Sequence, residues 1–303
     1  MTSGPLTGVR IVDLTAVGMG PMATQLLGDF GADILKIEEP GVGDPMRHSR
    51  AGVNQPDAFF QVTNRNKRSI TINLKQLAGR EIFLKLVETA DVVVEGFRPG
   101  VMDRLGLGYA ALSAIKPSLV CCSISGFGQT GPLSSMQAYA HLINAFSGMM
   151  DLERGGIAAP RASNLQAADV LAGAHAFGAI CAALLRRLRT GQGAYVDVSM
   201  LECLVCADDI NFPALLNGGT VERAPRTGMV VQPIGERHVA MQAGGAPHMW
   251  PRLVGLIGRP ELLDDARFNS PAARRANWPA LQEILRVWLA TFESVDKAVQ
   301  TLA

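Results

Sequence analysis

Over the first 200 residues, short β-rich apolar runs alternate with helix-like stretches, and this alternation restricts the possible folds more than any other feature. The runs are VRIVDL (9–14), ADILKIE (32–38), SITINL (69–74), DVVVE (91–95) and SLVCCSIS (118–125). Helices are expected from about Pro21 and over LAGREIFLKLVETA (77–90). Unbroken apolar stretches such as Val92 to Val94, bounded by turn signals, suit strands covered on both faces. Strands interleaved with helices predict a parallel, doubly wound α/β sheet.

The segment LQAADVLAGAHAFGAICAALL (165–185) is nearly long enough to span a bilayer and is followed by Arg186, Arg187 and Arg189. A lone span would expose Asp169 and His175 to lipid, at roughly 2.5 kcal/mol or more for a charged carboxylate. A buried core helix is therefore predicted, and no membrane association. TGQG (190–193) stops it, AYVDVSM reads as one more strand, and an apolar helix begins near Leu201. Residues 217–235, rich in Gly, Pro and Arg, read as a linker or loop. Beyond them, HVAMQAG and helical patterns at 248–257 and 278–302 suggest a smaller α+β domain. The expected division is a large domain over 1–216 and a linker with the small domain over 217–303.

Composition narrows the partners. With 303 residues, 48% hydrophobic and 18% charged, the chain can bury a large core. A formal net charge of +1 argues against nucleic acid and requires any anionic ligand to be held by local groups. The five cysteines lie in apolar runs, fitting free thiols in a reducing cytoplasm. The N-terminus lacks a basic region followed by an apolar stretch, so no secretory signal is predicted.

Several motifs invite chemistry and have plainer readings. GMGPMA (18–23), with Glu38 twenty residues past Gly18, imitates a dinucleotide fingerprint. The match is short, Pro21 is a routine first helical residue, and such glycines shape βα turns in many folds. Cys203 and Cys206 form a C-x-x-C without a second pair, which points to core packing. Asp208 and Asp209 are adjacent on a helix and so face different directions. No triad-like signature surrounds the histidines, and Ser134, Ser163 and Ser199 lack a nucleophile elbow. Basic clusters at 64–68 and 186–189 read as solvated ends of elements, or alternatively as phosphate contacts from Lys67, Arg68, Lys75, Arg98 or Arg104.

Asp169 is different. An acid inside an Ala/Gly/Leu segment incurs desolvation, and such groups are enriched at functional sites. Its residue environment alone supports two readings equally, because Ser163, Asn164 and Asp169 all lie near a helix start where capping is favourable.

Seven segments together resemble the class III CoA-transferases, the family of formyl-CoA transferase and carnitine CoA-transferase. They are LTGVRIVDLT (6–15), LLGDFGADILKIEEPGVGDPMR (26–47), NRNKRSITINLK (64–75), ADVVVEGFRPGVMDRLGLGY (90–109), SISGFGQTGP (123–132), AADVLAG (167–173) and RTGQGAYVDVSMLE (189–202). The resemblance implies a Rossmann-like large domain, a small domain, and a homodimer of two chains interlocked like links. It implies acyl-CoA and a small carboxylic acid as substrates, with no metal and no permanently bound cofactor. Asp169 falls on the family's nucleophile. CoA-holding positions fall on Val17 and Gly18, on Ile72, Asn73, Leu74 and Lys75, on Gly96, Phe97 and Arg98, on Arg104, and on Gln137, Ala138 and Tyr139. Gly148 and Gly173 would allow close approach around the reacting carboxylate.

This chain also departs from the family. Ala140 replaces an acid common after a glycine-tyrosine, and Glu39 stands where some members carry a CoA-contacting base. The glycine-rich loop is reduced to Gly244 and Gly245. Related α-methylacyl-CoA racemases place a histidine base where Tyr139 stands, so two-base proton exchange is disfavoured unless His141 takes that place through a register shift. Family chains continue beyond the helix-like run that reaches Ala303. The alternative functions are therefore a racemase or isomerase, and a truncated, non-catalytic CoA-binding paralogue or subunit.

Overall fold

Six strands organise the larger part of the chain in the computed structural model, which describes residues 4–48, 57–153, 159–160, 162–163, 165–208, 211–219, 228–243 and 248–302. In chain order the first unit contains β1 (Arg10–Leu14), α1 (Met19–Asp29), β2 (Asp33–Glu38), α2 (Ala58–Thr63), β3 (Lys67–Thr71), α3 (Leu77–Thr89) and β4 (Val92–Glu95). There follow α4 (Val101–Arg104), α5 (Tyr109–Ile115), β5 (Val120–Ser125), α6 (Ala140–Phe146) and α7 (Met149–Glu153). The unit is completed by α8 (Ala167–Thr190), β6 (Ala194–Ser199), α9 (Met200–Val205) and α10 (Asn211–Leu216). This compact unit comprises Met1–Arg154 and Ala159–Glu222.

All six strands are parallel, in the order β3-β2-β1-β4-β5-β6. The expected doubly wound α/β sheet is therefore present. Every residue of β4 and β5 is buried, as strands sandwiched between helical layers require. Side-chain alternation divides the core. Ile11, Val92, Val94 and Ile124 pack on the side of α1 and α8, whereas Val12, Val93 and Cys121 pack with Phe83, Val87 and Leu112 of α3 and α5.

The strand expected at 69–74 lies instead at Lys67–Thr71. Beyond it the Asn73 side chain accepts from the Lys75 N–H at 3.0 Å and closes a turn that ends the ladder. The long apolar segment forms α8, whose buried face carries Ala168, Ala172, Ala176, Ile180 and Leu184. By length and composition alone α8 could cross a membrane, yet this face packs in the sheet-covering core. Gly173 is needed there because a Cβ would stand 2.8 Å from the Met19 carbonyl oxygen of α1. Gly191 ends the helix in the left-handed region at φ 70, after Arg187 and Arg189 in the last turn.

The second compact unit, Arg223–Ala303 with Gly155–Ala158, is built around a two-stranded antiparallel hairpin. β7 (Met229–Ile234) pairs with β8 (Arg237–Gln242). Residues 229–234 form a strand, against the loop that their Gly, Pro and Arg content predicts. Val230 and Ile234 are buried while Met229 and Val231 are exposed, and pairing with β8 imposes the strand period that the surrounding Gly and Pro obscure. Helices α11 (Met249–Ile257), α12 (Pro271–Ala276), α13 (Trp278–Leu289) and α14 (Val295–Leu302) follow. The single helical pattern expected over 278–302 is two helices, separated where the Ser294 hydroxyl accepts from the Lys297 N–H. Trp278, Leu281, Leu285 and Leu289, at helical spacing, face Val230, Val239 and Phe268 in this unit's core.

Candidate active site

Strand order reverses between β1 and β4, where doubly wound sheets leave a crevice beyond the carboxyl ends of their strands. Four segments distant in sequence meet there. They are the turn after β1 with Val17 and Gly18, the Gly96–Phe97 turn after β4, residues 138–141 at the start of α6, and the first turn of α8 with Gln166 and Asp169. They line a cavity of about 500 Å³ with a mainly apolar wall that includes Met19, Phe59 and Met200.

Asp169 is the third residue of α8, and among the described residues no side chain caps this helix. Asp169 caps nothing by hydrogen bond, although a carboxylate in the first turn suits the helix dipole; Asn164, also considered as a cap, lies outside the described residues. The Ser163 hydroxyl instead accepts from the Leu165 N–H at 3.1 Å. Burial pushes the Asp169 carboxyl up to about 6, and the nearby His141 pulls it partly back. A carboxylate so placed is more basic than usual but still mostly ionised at neutral pH. A Cβ on Gly18 would overlap the Asp169 carboxylate, so only glycine lets the backbone lie this close.

A second cavity, of about 430 Å³, shares Leu14, Ala16 and Phe97 with the first. It is lined by Ile72, Asn73, Leu74 and Lys75 after β3, together with the end of β2 and residues 42–45. The two cavities adjoin at the switch point through these shared residues. Lys75 is exposed at the surface and pairs with Glu39 at 2.8 Å.

The candidate positions thus divide. Val17, Gly18, Gly96, Phe97, Ala138 and Tyr139 gather around Asp169, while residues 72–75 line the adjoining cavity. Gln137 is exposed and its amide donates to the Tyr139 hydroxyl at 3.2 Å. Arg98 lines a different cavity of about 430 Å³, with Glu95, Asp103, Tyr109 and Tyr195. Arg104 is exposed beside Gly100.

Three readings of single residues change. Lys67, considered as a phosphate contact, is withdrawn into the interior, where it pairs with fully buried Asp13 at 3.2 Å and donates to the Pro21 carbonyl at 2.8 Å. Gly148 makes no close approach; its φ of 81 serves the turn between α6 and α7. His141 needs no register shift to reach the cavity, because the turn into α6 presents both Tyr139 and His141 beside Asp169. Gly244, Gly245 and Asp209 lie outside the described residues.

Sequence reasoning missed Asp13, Lys36, Asp44 and Glu95, all buried at or beside this junction. The available signal was a charge within an otherwise apolar strand run, as in RIVDL, DILKIE and VVVE.

A family model described as CoA-transferase family III matches residues 6–303. The chain is 40% identical over 298 residues to the acetyl-CoA:oxalate CoA-transferase of Acetobacter aceti, covering 93% of this chain and 74% of that one. It is 35% identical to the succinyl-CoA:glutarate CoA-transferase of Mus musculus, covering 95% and 70%. A crystal structure of a CAIB/BAIF family protein from Brucella suis superposes with a TM-score of 0.81 at 32% identity, covering 99% and 82%.

Proposed function

Because the chain belongs to CoA-transferase family III, and so is an enzyme that transfers CoA, we propose that Asp169 is its nucleophile and a dicarboxylic acid its acceptor. The observation that carries the reading is a half-buried carboxylate of raised pKa in an apolar cavity, against a glycine backbone and beside a second cavity. The adjoining cavity at residues 72–75 accepts the nucleotide end of CoA, and the thioester reaches Asp169 past Phe97.

Four exchanges complete the reaction, and each balances without a proton. An Asp169 oxygen attacks the donor thioester carbonyl; the C–S bond breaks, leaving a mixed anhydride and CoA thiolate. The thiolate attacks the aspartyl carbonyl, the donor acid departs as its carboxylate with one Asp169 oxygen, and an aspartyl-CoA thioester remains. The acceptor carboxylate attacks that thioester, regenerating thiolate and a new anhydride. The thiolate then takes the acceptor acyl group and frees Asp169. Apolar lining keeps water from hydrolysing the anhydrides. Backbone N–H groups at the close Gly18 approach suit the developing oxyanions.

The acceptor class is supported by the relatives named for oxalate and glutarate, and by His141, the basic side chain that lines this cavity among the described residues. Its ring would face the distal carboxylate. Incubation with acyl-CoA, a hydroxylamine quench and peptide mass analysis should find Asp169 modified; an unmodified Asp169 in an actively transferring preparation overturns the reading. His141 beside Asp169 also gives proton exchange at the substrate α-carbon a geometric basis, and incorporation of solvent deuterium without CoA transfer would favour that second reading.

A further inference from the structure

Val17 is one of two described non-glycine residues with positive φ, at 71. A β-branched residue in the left-handed region is strained, and such strain persists only where the surroundings enforce it. Its own side chain does not do so, being 39% exposed. The restraint comes from two charged side chains that are each about 1% exposed, Lys36 on β2 and Asp44. Asp44 accepts from the Val17 N–H at 3.2 Å and from the Met46 N–H at 2.9 Å. Lys36 pairs with Asp44 at 2.9 Å and donates to the Thr15 carbonyl at 2.7 Å. The other end of the turn is tied as well, since the Thr15 N–H donates to Asp13 at 2.8 Å.

We infer that the buried Lys36–Asp44 pair is a positioning device for the nucleophile, holding the Val17 peptide left-handed so that Gly18 closes against the Asp169 carboxylate. The inference rests on the reading of Asp169 as nucleophile. Lys36 fixes the turn's first carbonyl and Asp44 its third N–H, so the pair spans the turn, and neither residue lines the cavity around Asp169. Breaking one partner alone would leave a buried unpaired charge, and a general loss of fold would follow. The informative change removes both together. Glycine adopts this φ unaided, so replacing Val17 should make the restraint dispensable.

The test is single-turnover formation of the hydroxylamine-sensitive adduct, using whichever of succinyl-CoA, acetyl-CoA and formyl-CoA acylates the wild type fastest. The double variant Lys36→Met with Asp44→Ala, shown folded by circular dichroism, should acylate at least tenfold more slowly. Adding Val17→Gly should restore most of the rate, which general destabilisation would not allow. A wild-type rate in the double variant, or no recovery with Val17→Gly, overturns the inference. If that pair does not fold, Val17→Gly alone decides: relief of strain should raise the thermal midpoint by about 2–4 °C, and an unchanged or lowered midpoint overturns the inference. No adduct in the wild type would instead overturn the reading of Asp169, leaving the thermal measurement to judge the turn.

Discussion

Two carboxyls show how burial at one sheet edge sets different chemistry. The attack proposed for Asp169 requires its ionised form, and burial pushes its carboxyl up to about 6. The acylation rate should therefore fall about tenfold per pH unit below pH 6 and level off above it, as a stopped pH–rate series would record. Glu95 is more deeply enclosed. Burial pushes it up to about 7, helped by Asp197 and Asp103, although the Ser123 hydroxyl and the Phe97 N–H, the latter at 2.7 Å, pull it down. A carboxyl whose pKa rises on folding favours the fold fully below about pH 4.5 and loses that contribution as pH climbs to about 7. Glu95→Gln should remove a stability decline of about 2–3 kcal/mol between pH 4.5 and 7, measurable as urea midpoints across that range.

At the scale of elements, α8 works through its contrast between two glycines. Gly173 lies where a Cβ would meet the Met19 carbonyl of α1, whereas Gly178 is exposed with open space around it. Gly173→Ala should cost about 1–3 kcal/mol through overpacking and should slow acylation, because the displaced α1 begins at Met19, next to Gly18. Gly178→Ala should stabilise by about 0.5–1 kcal/mol, the usual helix preference, and leave acylation unchanged. Thermal melts of the two variants check both signs. The opposite outcomes of one chemical substitution on one helix would separate helix packing from helix propensity.

For the whole molecule, the family resemblance carries an expectation of an interlocked homodimer, and α8 leaves Val170, Leu185 and Leu188 exposed on its outer side. Light scattering on the purified chain should give twice the 32.2 kDa chain mass; a monomer at micromolar concentration would refute it. Much of the architecture was legible because strand and helix periods are local. Val92–Val94 between turn signals suffices to identify a doubly covered strand, and the long Ala/Gly/Leu run with a costly acid suffices to single out Asp169. Where local signals conflict with pairing they mislead, as at 229–234, whose strand exists because β8 pairs with it. The site was legible only in pieces. By itself, the sequence determined the α/β class, the buried helix and the unusual acid, since each depends on neighbours a few residues apart. Only the tertiary structure decided that Lys67 is an internal partner of Asp13, that His141 faces Asp169, and that Lys36 and Asp44 hold Val17. Those relations join residues 19 to 54 positions apart, beyond the reach of any local period, and the packing of β1, β2, β3 and the helices over them brings these residues within contact range.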